Sequence, residues 1–307
     1  MTSRFSSSSI TLELPYEPPL DWAHMLRFFA GRASTGVETV EGEHYRRAIE
    51  WDGASGTLDV VRHARKHCLV ARIEGEVCQY AEALIAPLKR LFDLDASPAA
   101  IARCLSADPW LASLIATSPG LRVPGAWSGF ELVVRTIVGQ QVSVKGASTI
   151  TNRIVERAGK RVQSHAHDGT AWQFPTPSEL AAADLTGVGM PTKRIAAVQN
   201  FARAVADGRV PIDVPNADLG TVRESMLALP GIGPWTVEYV AMRALRDPDA
   251  WPGSDLVLMQ AIARRDPALT GLRQQNSRSE NWRPYRAYAA MHVWNGVALE
   301  AGVARGG

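Results

Sequence analysis

The chain has 307 residues, room for two or three domains, since one hydrophobic core rarely grows past about 250–300 residues. Its 46% hydrophobic and 21% charged residues exclude disorder as the main state, and no apolar run is long enough for a transmembrane helix. A net charge of +2 speaks, as a bulk quantity, against a strongly basic nucleic-acid binder. The polar serine tract at residues 6–9 has no apolar stretch beside it, which argues against a secretory signal. Cys68, Cys78 and Cys104 form no C-x-x-C pair, so neither a disulfide framework nor a cysteine-based metal centre is expected, and a reducing cytoplasm is the simplest home.

The charge is unevenly spread. Residues 1–119 hold 12 Lys/Arg against 15 Asp/Glu, whereas residues 120–160 hold 6 against 2, a patch that can hold a few phosphates or be an ordinary solvated helix face. In chain order, Ile10, Leu12 and Leu14 alternate with Thr11 and Glu13, the period of a half-buried strand, and Leu69, Ala71 and Ile73 repeat it. Asp52-Gly53 and Glu74-Gly75 supply turn chemistry. Trp22, Met25, Leu26 and Phe29 share one helical face within residues 21–32, and residues 82–94 predict a second helix. From residue 97 onward the pattern is helical almost throughout. Ser128-Gly129-Phe130-Glu131 has the form of a capping box, followed by a buried stripe of Phe130, Val133, Ile137 and Val138. Gly139-Gln140-Gln141 interrupts it, and Ser143 caps a helix that ends at Gly159 and carries Lys145, Arg153, Arg157 and Lys160. A glycine loop at residues 185–191 places Pro191 in the first turn of another helix, and residues 208–216 read as a linker.

Leu229-Pro230-Gly231-Ile232-Gly233-Pro234-Trp235-Thr236 is the most informative stretch. A helix ends near Ala228, two glycines make a tight turn with backbone angles closed to other residues, and a helix opens at Pro234. Bare amides at a helix start admit a phosphate oxygen and grip backbone without reading bases. A helix–helix corner with a glycine cap is the plain alternative; the length and order of the motif favour the phosphate site. Together with Trp251-Pro252-Gly253-Ser254-Asp255, the hairpin resembles the helix-hairpin-helix, Gly/Pro loop and aspartate signature of DNA glycosylases. Within that superfamily the chain is similar to the DNA-3-methyladenine glycosylase II type. The segments Tyr16-Glu17-Pro18-Pro19-Leu20-Asp21-Trp22, Arg90-Leu91-Phe92-Asp93-Leu94, Phe174-Pro175-Thr176-Pro177 and Trp282-Arg283-Pro284-Tyr285-Arg286 extend the resemblance over nearly the whole chain.

The resemblance implies an α+β protein: an N-terminal antiparallel-sheet domain with helices at 1–97, then two mostly helical domains. One, at 130–247, carries the hairpin; the other combines 98–129 with 248–307, and the active-site cleft lies between them. The expected activity is hydrolytic excision of alkylated purines, of the 3-methyladenine and 7-methylguanine class, from double-stranded DNA, leaving an abasic site. A carboxylate beside the sugar stabilises an oxocarbenium-like transition state, and Asp255 is the candidate. From sequence it sits in a first helical turn after Ser254, where an aspartate is usually just a cap. Pocket roles carry over to Trp235, Tyr239, Trp294 and Phe28, whose ring faces suit a cationic base. Gly231, Gly233 and Thr236 are assigned to DNA contact, and Gln141 to the wedge that fills the gap left by the flipped base, where the family pattern has leucine. Leu256 and Asn295 also depart from expected aromatic positions. Backbone carbonyls of Leu227, Leu229 and Ile232 are implied to hold a structural monovalent cation, with no other cofactor. Trp235 stands where lyase relatives carry a lysine, so strand cleavage is not expected. Trp251 and Trp282 read as core, and His63, His67 and the tract His165-Ala166-His167-Asp168 as loop histidines rather than zinc ligands. A monomer acting on the nucleoid, with no membrane partner, completes the expectation. A non-catalytic module for damaged DNA and a glycosylase for deaminated bases such as hypoxanthine stay open.

Overall fold

The computed structural model describes residues 9–164 and 169–306, so the tract at 165–168 and most of the serine tract lie outside the described residues. The chain begins with β1 (Ser9–Pro15), α1 (Trp22–Ala30), β2 (Glu38–Glu41), β3 (His44–Trp51), β4 (Ala54–Arg62), β5 (Cys68–Gly75) and α2 (Ala81–Phe92). The five strands form one antiparallel sheet in the order β1-β5-β4-β3-β2. Leu12 pairs with Ala71 and Leu14 with Leu69, so the alternating apolar side chains of both strands meet on one face. Asp52 and Gly53 take φ values of 50° and 80°, the left-handed pair that closes a tight hairpin between β3 and β4. Asp21 caps α1 by accepting the His24 amide at 2.8 Å, and the helix buries Trp22, Met25, Leu26 and Phe29 against the sheet and α2.

Next come α3 (Pro98–Leu105), α4 (Pro109–Thr117), α5 (Gly129–Gly139), α6 (Val144–Ala158), β6 (Lys160–Ser164), β7 (Gly169–Gln173) and α7 (Pro177–Ala182). The rest is helical: α8 (Thr192–Ala206), α9 (Leu219–Leu227), α10 (Pro234–Arg243), α11 (Leu256–Arg265), α12 (Leu272–Ser279) and α13 (Arg286–Gly306). Three hydrophobic clusters form. One lies between the sheet, α1 and α2; one joins α5, α6, α8, α9 and α10; one joins α3 and α4 to α11 and α13, from opposite ends of the helical chain. Trp251 and Trp282 are buried in the last, edge to face at 5.4 Å. Asp93 ties these layers together: its carboxylate accepts from Tyr288, Arg246 and the Val123 amide, while Arg122 donates to the carbonyls of Asp93 and Ala96.

Several local expectations change. The β6–β7 hairpin replaces helix, so Lys160 opens a strand; five-residue strands are too short to stand out from a helical background, and Trp172 pairs its amide with the Gly36 carbonyl beside the first sheet. At the start of α5, Ser128 does accept the Glu131 amide at 3.2 Å, but Glu131 does not reach back, because its buried carboxylate pairs with Arg47 and Arg135. Asp213 takes its place, accepting from the amides of Gly129 and Phe130 and the Ser128 hydroxyl. Residues 208–216 are therefore packed structure rather than a linker, with Val210 and Ile212 buried. Most basic residues of the stretch at 120–160 have partners within the chain, although Arg153, Arg157 and Lys160 stay exposed. Arg122 and Arg135 serve buried carbonyls and carboxylates, Arg153 and Arg157 donate to carbonyls of the 184–188 loop, and Lys160 pairs with Glu179.

Candidate active-site cleft

The hairpin joins α9 to α10. Gly231 has φ +89°, and a Cβ there would come within 2.8 Å of the Ala197 Cβ, so glycine is required twice over. Gly233 differs from expectation: its φ of −101° is open to any residue. Its distinguishing feature is empty space, with nothing within 4 Å of a built Cβ, just ahead of the amides that open α10. Ile232 is buried in the adjoining core. Gln140, at the end of α5, donates to the Gly231 carbonyl at 3.0 Å and reaches the Thr236 hydroxyl at 3.5 Å. Thr236 is buried, whereas Pro230, Gly231 and Pro234 are exposed and Gly233 is partly so. Gln141 is exposed at φ +58°, between the cleft-lining Gly139 and Val142. The Leu229 carbonyl accepts the Ile232 amide, while among the described residues those of Leu227 and Ile232 accept no hydrogen bond; carbonyl oxygens are the donor type that a hard cation would take.

Residues 235, 239 and 243 recur every four positions and put Trp235, Tyr239 and Arg243 on one face of α10. Trp235 and Tyr239 stack with ring centroids 5.2 Å apart and planes at 11°, and Trp294 of α13 meets Tyr239 edge to face at 6.2 Å. Phe28 of α1 closes the other side, with the Arg243 guanidinium 4.7 Å from its centroid. Arg243 is buried and donates to the carbonyls of Pro124 and Gly125 and to the Tyr239 hydroxyl. Burial by itself would raise the Tyr239 hydroxyl's pKa, but the guanidinium groups of Arg243 and Arg32 outweigh it and hold it below its ordinary value. These walls enclose a cleft of about 950 Å³, lined from all three hydrophobic layers and of a size typical of ligand sites.

Asp255 lies at its edge. It is itself the N-cap of α11, not a first-turn residue behind a Ser254 cap. Its Oδ1 accepts from the amides of Val257 and Leu258, each at 3.0 Å, and from the Trp294 indole at 3.0 Å. Its Oδ2 accepts from the Trp235 indole alone, also at 3.0 Å. Capping would need Oδ1 only. The two indoles add orientation, and they leave the lone pairs of the two oxygens unequally used, with Oδ2 the less occupied.

The cleft thus gathers Asp255, Trp235, Tyr239, Trp294 and Phe28, with Gln141, Gly231 and Gly233 outside the aromatic pocket and Thr236 beneath the hairpin. Leu256 is not a wall: it is 67% exposed, and Val257 lines the cleft instead. Asn295 is buried and donates to the Ser118 hydroxyl. Arg32, Arg243 and His24 also line the cleft and were not anticipated. Arg243 had a readable signal, the four-residue stride from Trp235 and Tyr239; Arg32 and His24 on α1 and just after it had none. His63, for its part, accepts the amides of Arg65 and Lys66 through Nδ1, an ordinary turn role.

Residues 11–128 match the AlkA N-terminal domain, and residues 134–285 match the HhH-GPD superfamily of base excision DNA repair proteins. DNA-3-methyladenine glycosylase 2 of Escherichia coli is 34% identical over 284 residues, 92% of this chain and 95% of that protein. Among solved structures, the 3-methyladenine DNA glycosylase of Archaeoglobus fulgidus superposes with a TM-score of 0.79 at 20% identity, covering 92% of this chain and 97% of that one. The Schizosaccharomyces pombe 3-methyladenine DNA glycosylase in complex with abasic DNA gives a TM-score of 0.52 at 25% identity, over 63% of this chain and 94% of that one. With the hairpin, Trp235, Tyr239 and Asp255 all inside the matched residues 134–285, this chain belongs to the HhH-GPD superfamily of base excision DNA repair proteins, as a DNA glycosylase of the AlkA type.

Proposed function

We propose that this glycosylase hydrolyses the N-glycosidic bond of alkylated purines, of the 3-methyladenine and 7-methylguanine class, in double-stranded DNA. The observation that carries the reading is the carboxylate of Asp255, held by two indoles at the edge of an aromatic cleft. DNA backbone rests on the outward Gly231–Gly233 turn at the start of α10, where amides and helix dipole favour a phosphate. Gln141 fills the space left in the duplex, and the extruded base enters between the stacked Trp235 and Tyr239 and the rings of Trp294 and Phe28. An alkylated purine is cationic and already activated to leave, so no strong general acid is required. Asp255 accepts four N–H bonds and acts as an anion: Oδ2 faces the developing oxocarbenium charge and orients the attacking water. With Trp235 in place of an amine, no Schiff base forms and the strand stays intact.

The carbonyls of Leu227, Leu229 and Ile232 would hold a monovalent cation, which would supply fixed positive charge next to the phosphate-binding turn. Three cysteines without a C-x-x-C pair suit a cytoplasmic enzyme, and a cleft lined by one chain is consistent with a monomer as the working unit. Incubation with methylated duplex DNA should release 3-methyladenine and 7-methylguanine. Asp255→Asn should lower the rate by about 100-fold or more while sparing affinity for an abasic-site analogue. Release by the variant at the wild-type rate would make Asp255 a structural cap and the protein a binder rather than this enzyme.

A further inference from the structure

Asn295 places an amide beside Trp294 in the aromatic part of the cleft. Met291, Trp294, Asn295 and Ala298 recur at the spacing of one helical face, and all four line the cleft from α13. The Trp294 indole N–H is given to Asp255, while Met291 and Ala298 carry no strong donor or acceptor. Asn295 is thus the residue of this face with polar capacity to spare. It is 8% exposed, and its Nδ2 donates at 2.8 Å to the hydroxyl of Ser118, a buried residue outside the cleft lining that ends α4. That bond fixes the amide and leaves the Oδ1, which accepts no hydrogen bond among the described residues, as its free half.

Packing alone gives no reason for this amide. A leucine fills a similar volume, and an acceptor left unpaired away from water costs free energy that a donating ligand recovers. Guanine and adenine each carry an exocyclic amino group on the Watson–Crick edge, which is freed when the base is extruded; hypoxanthine has none. Methylation at N7 or N3 makes the ring cationic, and an amino group conjugated with it is a charge-assisted donor. We propose that Asn295 is a specificity-determining residue, whose Oδ1 accepts from the exocyclic amino group of the extruded methylated purine and so selects amino-bearing bases over those that lack the group. This rests on the glycosylase reading and deepens it.

7-Methylguanine and 7-methylhypoxanthine are both cationic in DNA and differ by that one amino group. Single-turnover release of each, from matched duplexes opposite cytosine at sub-saturating enzyme, is measured for wild type, Asn295→Leu and Asn295→Ala. Both variants should lower the ratio of 7-methylguanine to 7-methylhypoxanthine release by about tenfold relative to wild type. Differences between the two bases in leaving ability and in pairing cancel in that comparison. A general loss of stability lowers both rates and leaves the ratio unchanged, and Asn295→Ala removes the acceptor without adding bulk. A ratio that stays at the wild-type value, or rises above it, overturns the proposal. A wild type that releases neither base fails the glycosylase reading itself.

Discussion

Asp255 has a common structural duty, capping α11, and in the proposed reaction a chemical one as well. Its Oδ1 is saturated by two amides and the Trp294 indole, whereas Oδ2 has the Trp235 indole alone and keeps room for a substrate. The indoles bond a charged acceptor, and such bonds contribute about 1.5–3 kcal/mol each. Trp294→Phe keeps an aromatic wall but removes one donor. Release of 7-methylguanine should then fall by about tenfold or more, with affinity for abasic-site DNA changed by less than threefold. If affinity and rate fall together by the same factor, Trp294 binds the base and does not hold the carboxylate. A helix start at Ser254-Asp255 was legible, though not that Asp255 is the cap; the indole partners were not, because Trp235 and Trp294 stand 20 and 39 residues away.

At the scale of elements, the two glycines of the hairpin have different physical reasons. Gly231 needs its left-handed φ and its lack of a side chain against Ala197; Gly233 needs only the space in front of it. Gly231→Ala should lower the melting temperature and weaken DNA binding together, at a cost of about 1 kcal/mol or more in stability. Gly233→Ala should leave the melting temperature within about a degree and still weaken binding, because its methyl group meets only an incoming phosphate; wild-type affinity in that variant would show that no backbone comes close there. Stability by thermal melting and affinity by titration separate the two. The motif announced both glycines as equivalent, since a sequence displays the residue type but not the dihedral angle. Similarly, Ser128 revealed the start of α5, but Asp213, which satisfies that start, comes from 85 residues later.

At the scale of the whole molecule, two histidines are buried among the described residues, and the proposed chemistry uses neither. His24 lines the cleft from α1 and His292 lies on α13; in both the Nδ1 has no hydrogen-bond partner among the described residues. Burial lowers both pKa values to about 4 from an ordinary 6.5; Arg27 and Arg32 add to the effect at His24, and His24 adds to it at His292. The unfolded chain gains a proton at each as pH falls through 6.5, the folded chain only near 4, so stability is lost between those values. At pH 5 the loss is about 2 kcal/mol per histidine, and it is absent above pH 7.5. Denaturant titrations at pH 7.5 and pH 5 should show this fall, and a double variant, His24→Gln with His292→Gln, should show much less of it. Equal falls in both proteins would locate the acid sensitivity elsewhere.

Local signals written in neighbouring residues came through the sequence alone: the alternation of β1 and β5, the face of α1, the Asp52-Gly53 turn, the hairpin, and the absence of a lysine at Trp235. These depend on spacing within one turn or one strand, where chain connectivity already fixes which side chains are neighbours. Phe28, Asp255 and Trp294 were reachable only through likeness to a family, since no local pattern joins residues so far apart. The tertiary structure alone decided which charges are available. Of the six basic residues at 120–160, Arg122 and Arg135 are largely buried on carbonyls or carboxylates brought from elsewhere in the chain, while Arg153, Arg157 and Lys160 bond to neighbouring groups but stay exposed. A formal charge belongs to a residue, but whether it is spent depends on what the fold packs against it. The bulk charge of +2 therefore says little about DNA binding, because backbone amides such as those of the hairpin can hold a phosphate without adding formal charge.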